Sequence, residues 1–594
     1  ADLQFLTCRP AFLEVQNCAI VEEWLARLEQ ALTQPGSPSL NALFLSQSYW
    51  RDVLALTWNI QTLCGVQTIS DAIAERSKDA GLSNIQVELT DMLPRQVTRV
   101  GTETIEAFFI FKISVGCGRG IVRLCPDSAD GGQYKAWTFL TALEELVGYE
   151  ETTGANRPTG QSYSRDFHGP NWLDQRQDAE AYKYRDPTVL VVGGGQAGLA
   201  VAARLTQLGV NTLIVDKHKR IGDNWRKRYH ALTLHNQVQV NHMPYMPFPP
   251  TWPAYVPKDK LANWFEAYVE ALELNYWPQT ELVHGTYDET AQHWTVTLRS
   301  LDGTERQLRP RDIIMATGVS GIANRPSIPT LDEFQGRVVH SSEYQDSDGC
   351  TGKKAIVIGT GNSGHDIAQD LCSSGADVTM VQRSPTLVVN IEPSAQLPYG
   401  LYNEGPSLED CDFITLSMPT PLVRKAHVSF TEQSADLDKD LLEGLEKIGF
   451  KLDFGEDGTG WQFKYLTRGG GYYFNVGCSD MLIEGKIRLI QFDDIVGFTA
   501  DGARLTSGDT LEADLIVLST GFRPQEELVE KLFGAAVAER VGPIWGFGDE
   551  LELRNMYCRT GQPGLYFIAG SFAQCRINSK YLALQIKAAY AAVI

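Results

Sequence analysis

Two stretches of this chain, TVLVVGGGQAGLAVAARL at 188–205 and KKAIVIGTGNSGHDIAQDL at 353–371, run a β-branched segment into a Gly-x-Gly-x-x-Gly turn and on into a helical pattern. Few local patterns restrict a fold more. A short continuous apolar run suits a parallel strand buried on both faces. The glycines allow the tight turn, the close backbone approach and the helix–strand packing that bring unpaired N–H groups onto a pyrophosphate. Gly193, Gly195 and Gly198 form the first turn, with Gln196 and Ala197 opening the helix. Gly359, Gly361 and Gly364 form the second, with Asn362 and Ser363 in the same place. A second strand follows each, NTLIVD and ADVTMVQR, so the pattern predicts an α/β chain with two dinucleotide-binding, Rossmann-like domains.

The second strands end differently. Asp216, with Lys217 beside it, closes the first, where a carboxylate takes the free hydroxyls of an adenosine ribose. The other ends at Arg383 and Ser384 without a carboxylate; a guanidinium there suits a 2′-phosphate that an acid would repel. One dinucleotide keeps its hydroxyls and the other is phosphorylated, a description that FAD and NADPH fit. Their partnership implies hydride transfer from nicotinamide to flavin. The chain has no CxxC or CxxxxC pair after the first cradle, which argues against electrons leaving through a dithiol.

Composition narrows the partners. With 594 residues, about three to five domains are expected. A net charge of −21 without a long basic run argues against nucleic acid or an anionic membrane as partner. No apolar stretch is long enough to span a bilayer. Eleven scattered cysteines without a framework fit a reducing compartment, and the opening stretch ADLQFLTCRPAFLEVQ has no leader-like pattern, so a cytoplasmic location is expected. No metal site is expected.

Residues 1–150 read as a separate α+β unit. AIVEEWLARLEQALTQ (19–34) places Ile20, Trp24, Leu25 and Leu28 at helical spacing, and SYWRDVLALTWNIQTLCG (48–65) repeats that pattern up to Gly65, predicting two helices. Apolar runs at 105–115, 119–126 and 133–146 predict later strands. This order resembles the cone-shaped NTF2/SnoaL-like fold. Capping the active site, binding a ligand and pairing protomers as a homodimer all remain open as its role. Residues 151–186, rich in Gly, Pro and polar side chains, read as a linker.

Five ordered motifs between about 186 and 594 then carry a family resemblance. FQGRVVHSSEY sets out Phe334, Gly336, His340 and Tyr344 as FxGxxxHxxxY just before the second cradle. DIIMATGVSG (with Thr317 and Gly318) and DLIVLSTGFRP (with Gly521) resemble the two ATG-type crossings between domains. Together with both cradles, these motifs resemble the flavin-containing monooxygenases; Baeyer–Villiger relatives usually carry Trp where Tyr344 stands. The resemblance implies an NADPH-binding domain at 351–513 inserted in the FAD-binding domain, whose two segments are then 187–350 and 514–594. It implies that YHALTLHNQVQVNHMPYMPFP (229–249), with His235 and Asn236, runs past the flavin, and that Trp225 lies against FAD. Asn236 falls where many N- and S-oxygenating members have asparagine; the auxin-pathway indole-pyruvate branch departs from it.

The implied activity is NADPH-dependent reduction of FAD, addition of O2 at flavin C4a and oxygen transfer to a soft N- or S-containing small molecule. Asn236 and His340 are the candidate catalytic residues. Baeyer–Villiger insertion or keto-acid oxidative decarboxylation stays open, as do an NADPH oxidase and a non-catalytic redox scaffold. The Met-, Tyr-, Pro- and Trp-rich run at 242–257 either walls a pocket or packs locally.

Overall fold

The computed structural model describes residues 12–34, 39–89, 92–159, 167–319 and 321–594. The first residues of the opening stretch and residues 160–166 of the linker fall outside them.

Two five-stranded parallel sheets organise most of the chain. In the first, Val189–Val192 lies between Thr212–Val215 and Asp312–Met315, with Asn275–Trp277 and Leu565–Phe567 at the edges. In the second, Lys354–Ile358 lies between Asp377–Gln382 and Leu515–Leu518, flanked by Arg488–Gln491 and Arg337–His340. The cradle strand is therefore central in both. Strand order reverses beside it, which is where open parallel sheets bind ligands. Each sheet is accompanied by a three-stranded antiparallel one, at 280–308 and 495–512.

Strands Arg337–His340 and Leu515–Leu518, which the sequence pattern leaves with the flavin unit, hydrogen-bond within the second sheet. Sheet membership thus draws the insert wider than 351–513. Two parallel strands look alike in sequence; only their partners tell the units apart. The crossing itself is a short antiparallel pair, Ile322–Ala323 with Phe522–Arg523.

The N-terminal unit holds helix Phe12–Thr33, helix Val66–Ala80 and a seven-stranded sheet. Trp24, Leu25 and Leu28 are buried as their spacing predicts, and strands Thr102–Ile113, Gly116–Asp127 and Gln133–Leu146 cover the three apolar runs. The helix expected at 48–65 is absent. Strands Phe44–Val53 and Ile60–Cys64 occupy that stretch, and Gly65, at φ +87°, starts the next helix instead of ending one. Pairing of Tyr49–Val53 with Thr138–Ala142 overrides the local period. Within the stretch read as linker, Asn171 and Asp174 form a capping box on a helix, Trp172–Ala181. Arg176 and Glu180 tie it to the edge strand through Asn275 (2.8 Å) and the Trp277 indole (2.8 Å).

Candidate active site

The two cradles share their geometry. Gly193 and Gly359 have φ +111° and +117°, and a Cβ on either would stand 2.4 or 2.2 Å from a backbone oxygen, of Ala316 or Ser519. A Cβ on Gly198 or Gly364 would stand 1.9 or 2.1 Å from the oxygen of Gly193 or Gly359, so helix and strand touch only because these residues lack side chains. Helices Gln196–Gln207 and Asn362–Ser373 start immediately past the turns, and their first N–H groups have no partner within the helix.

A cavity of about 940 Å³ runs from the first cradle to the boundary with the second unit. Gly193, Gly195, Gln196 and Ala197 line one end, with Asp216 and Lys217. Farther along come Trp225, Thr317, Gly318 and, from the second cradle, Ser363. The site fits a flavin dinucleotide: the glycines leave a bare backbone wall, and the buried Thr317 hydroxyl has no protein partner. Asp216 is nearly buried; its carboxylate accepts from the Gly194 N–H (2.7 Å) and from the His218 N–H (2.8 Å), with His218 Nδ1 at 2.7 Å. Burial pushes its pKa up, but the hydrogen bonds from His218 and Gly194 outweigh it and hold the group below its ordinary value. Trp225 donates its indole N–H to Gln196 (3.3 Å), and the Gln196 amide donates to the Gly570 carbonyl (3.2 Å). Gly570 precedes the 19-residue helix Phe572–Tyr590, whose N-terminus thus opens on the cavity.

At the second cradle, the Asn362 side chain accepts from the Phe474 N–H (2.9 Å). Arg383 and Ser384 are exposed at the end of their strand, Nε to Oγ 3.5 Å. Gln382 beneath them is fully buried and exchanges hydrogen bonds with the Lys451 backbone at 2.9 and 2.8 Å.

His340 is fully buried and does not line the cavity. Its Nε2 donates to the Gly521 carbonyl (3.0 Å) and its Nδ1 accepts from the Ser342 N–H (3.1 Å). Burial lowers its pKa. With both nitrogens engaged it braces the crossing at Gly521, whose carbonyl lies opposite the Asn324 N–H as well (2.9 Å). The residue expected to be catalytic thus stands outside the cavity lining, hydrogen-bonded at the crossing.

Asn236 is half-buried, and its amide donates to the Tyr399 hydroxyl (3.1 Å). The neighbouring His235 packs edge-on against Phe474, its pKa lowered by burial, and its carbonyl accepts from Gln396 (3.0 Å). Tyr399 and Gln396 are not legible in the sequence because no local motif marks them. The same holds for Arg228 and Tyr465, which line the cavity together with Tyr229, the first residue of the segment expected to run past the flavin. Arg228 donates to the Asn224 carbonyl (3.2 Å) and stands over Trp225. Tyr229 hydrogen-bonds Asp366 on the second cradle helix. The aromatic run at 242–257 packs locally: Phe248 stacks on Trp252 at 4.8 Å and meets Trp264 at 5.8 Å.

Two glycine cradles, one with a buried acid and one with an exposed guanidinium, define a two-dinucleotide oxidoreductase. Residues 190–400 match the family described as pyridine nucleotide-disulphide oxidoreductase. The chain is 30% identical over 353 residues to indole-3-pyruvate monooxygenase YUCCA1 of Oryza sativa subsp. japonica, covering 59% of this chain and 80% of that one. It is 30% identical over 340 residues to the probable indole-3-pyruvate monooxygenase YUCCA7 of Arabidopsis thaliana, covering 56% and 74%. In fold it is similar to cyclohexanone monooxygenase from Rhodococcus sp. Phi1 bound to NADP+, with a TM-score of 0.51 at 17% identity over 68% of this chain and 85% of that one. The chain belongs to the flavin monooxygenase family. It is an FAD- and NADPH-dependent flavoprotein monooxygenase. Among the described residues, ten cysteines are free, and no helix is long and apolar enough to cross a membrane.

Proposed function

We propose that this monooxygenase oxygenates a soft nitrogen or sulfur centre of a small molecule, with O2 as co-substrate. The observation that carries this is Asn236, on the loop that leaves the cavity wall at Tyr229 and itself outside the lining, whose side-chain amide donates to the Tyr399 hydroxyl. Bound FAD would accept hydride from NADPH and activate O2. The chain's own part is to bind, orient and exclude water. Gly193–Gly198 and Asp216 hold the flavin dinucleotide, Gly359–Gly364 and Arg383 the phosphorylated one, and Ser363 marks where the second approaches the first. Trp225 and Gln196 fix the wall beside the flavin, and the N-terminus of Phe572–Tyr590 favours negative charge there. Tyr399, Tyr465 and Tyr472 have pKa values pushed up by burial, so they remain neutral donors in a poorly hydrated region.

A second reading has its own support: the relatives at 30% identity are indole-3-pyruvate monooxygenases. In it the substrate is a 2-oxo acid, and Arg228 in the cavity wall is the cation suited to its carboxylate. Turnover of an aryl thioether, a cyclic ketone and an aryl-pyruvate, side by side, tests both. Sulfoxide formation without CO2 release supports the first; CO2 release from the pyruvate alone supports the second.

The proposed units are an NTF2-like domain at 1–150, an FAD-binding unit at 187–323 completed by 524–594, and an NADPH-binding unit at 324–523. Free thiols support a reducing compartment, the cytoplasm.

A further inference from the structure

The N-terminal sheet does not present an open face. Helix Leu408–Leu416, from the inserted unit, lies against it. Phe413 stacks on Phe108 at 6.0 Å, and the Arg119 guanidinium stands over both rings, 4.6 and 4.9 Å from their centroids. Arg119 also pairs with Glu88 (2.6 Å) and with Asp410 of the helix (2.7 Å). The wholly buried Arg123 donates to Ser417 (2.8 Å) just past the helix end. Polar groups this deep are satisfied only when the helix is seated, so docking is specific in register as well as favourable.

The opposite side of the same helix meets the C-terminal helix. Asp412 takes two hydrogen bonds, 2.7 and 2.6 Å, from Arg576 of the C-terminal helix. Arg576, 3% exposed, spends another N–H group on the Val240 and His242 carbonyls (2.8 and 2.7 Å), in the loop that carries Asn236. The helix also continues the segment Ser394–Asn403, and Asp412 accepts from its Tyr402 (2.7 Å). That segment supplies Tyr399 to Asn236 and Gln396 to the His235 carbonyl. The N-terminal unit is itself anchored on the flavin side, where Arg51 forks onto Glu552 at 2.9 and 2.8 Å.

We propose that the N-terminal unit is an intramolecular clamp: by gripping helix 408–416 it positions the 394–403 wall against Asn236 and keeps the oxygenation site closed to water. Among a cap, a ligand-binding module and a protomer contact, this assigns it the first, acting through a helix of the same chain. The inference rests on the monooxygenase reading for its catalytic consequence. A loosened wall admits water, and reducing equivalents are then lost: NADPH, H+ and O2 yield NADP+ and H2O2 with no oxygen atom transferred.

The test uses the FAD-loaded full chain, as wild type, Arg119→Gln, Asp410→Asn and the double variant. Neither residue lines the cavity, and Asp410→Asn retains the hydrogen bonds with Ser407. Hydrogen–deuterium exchange of peptides within 394–422 is expected to quicken about tenfold in Arg119→Gln, which loses the Asp410 pair and the cation over both rings, and less in Asp410→Asn, with the double variant no faster than Arg119→Gln because the pair is shared. The H2O2 formed per NADPH should rise in parallel, while flavin content and the KM for NADPH stay as in wild type. Unchanged exchange at 394–403, additive effects in the double variant, or faster exchange with an unchanged H2O2 share would each overturn the clamp. If wild type oxygenates none of the three substrate types, the substrate reading fails, and the exchange data still decide the clamp.

Discussion

Replacing Arg383 with Ala tests the coenzyme assignment where the structure makes the outcome easiest to interpret. The side chain is exposed and donates to Ser384 Oγ at the long distance of 3.5 Å, so its removal should break only a weak internal contact. The platform beneath is independent of it, since Gln382 is fixed by Lys451 on both its amide atoms and takes a further hydrogen bond from Gln491 (3.2 Å). What is lost is a charge-assisted contact to a 2′-phosphate, worth ~2 kcal/mol at a solvent-facing site. That predicts a fall of about 30-fold in kcat/KM for NADPH and essentially none for NADH. Because the site is open, the penalty should shrink as salt is added. Initial rates with each coenzyme, at low and high ionic strength, measure all three quantities. Equal losses with NADPH and NADH, or no loss with NADPH, would refute the assignment.

Gly198→Ala places a Cβ 1.9 Å from the Gly193 oxygen, so the helix must retreat and the purified protein should lose most of its flavin absorbance; full flavin content would contradict the packing argument. Tyr399→Phe removes the acceptor for the Asn236 amide, at a cost of ~1 kcal/mol, and should raise H2O2 per NADPH several-fold at unchanged flavin content. Stability of the second unit should depend on acid through His365. Burial depresses its pKa to about 4, from an ordinary 6.5, so its contribution is complete above 6.5 and is lost as pH falls towards 4, at up to ~1.4 kcal/mol per pH unit. His427, also about 4 through burial, adds in the same direction. Thermal melts of wild type and His365→Gln between about pH 7.5 and about pH 5, across the upper end of that window, should show a shallower slope for the variant, and identical slopes would exclude the effect.

The parts legible in the sequence are those in which chemistry is local. A glycine turn must follow its strand and precede its helix directly, so the cradles, Asp216 and Arg383 stand where spacing puts them. The misreadings are failures of range. At 48–65 a helical period is present, yet pairing with a strand some ninety residues away decides the matter. His340 belongs to a strong motif, but its partner, the Gly521 carbonyl opposite its Nε2, lies 181 residues away and no local pattern announces it. The wall around Asn236 is invisible for the same reason: Tyr399, Asp412 and Arg576 come from three separate segments and meet only in the folded chain.

In a monooxygenase, electrons from NADPH end with one oxygen atom in an organic product. Turnover of the FAD-loaded enzyme under isotopically heavy O2, with NADPH consumption and product mass followed together for the thioether and the aryl-pyruvate, measures this directly. One heavy oxygen atom per NADPH in the product of one substrate is the predicted result. Heavy label found solely in H2O2 or water, with every substrate returned unchanged, would contradict it.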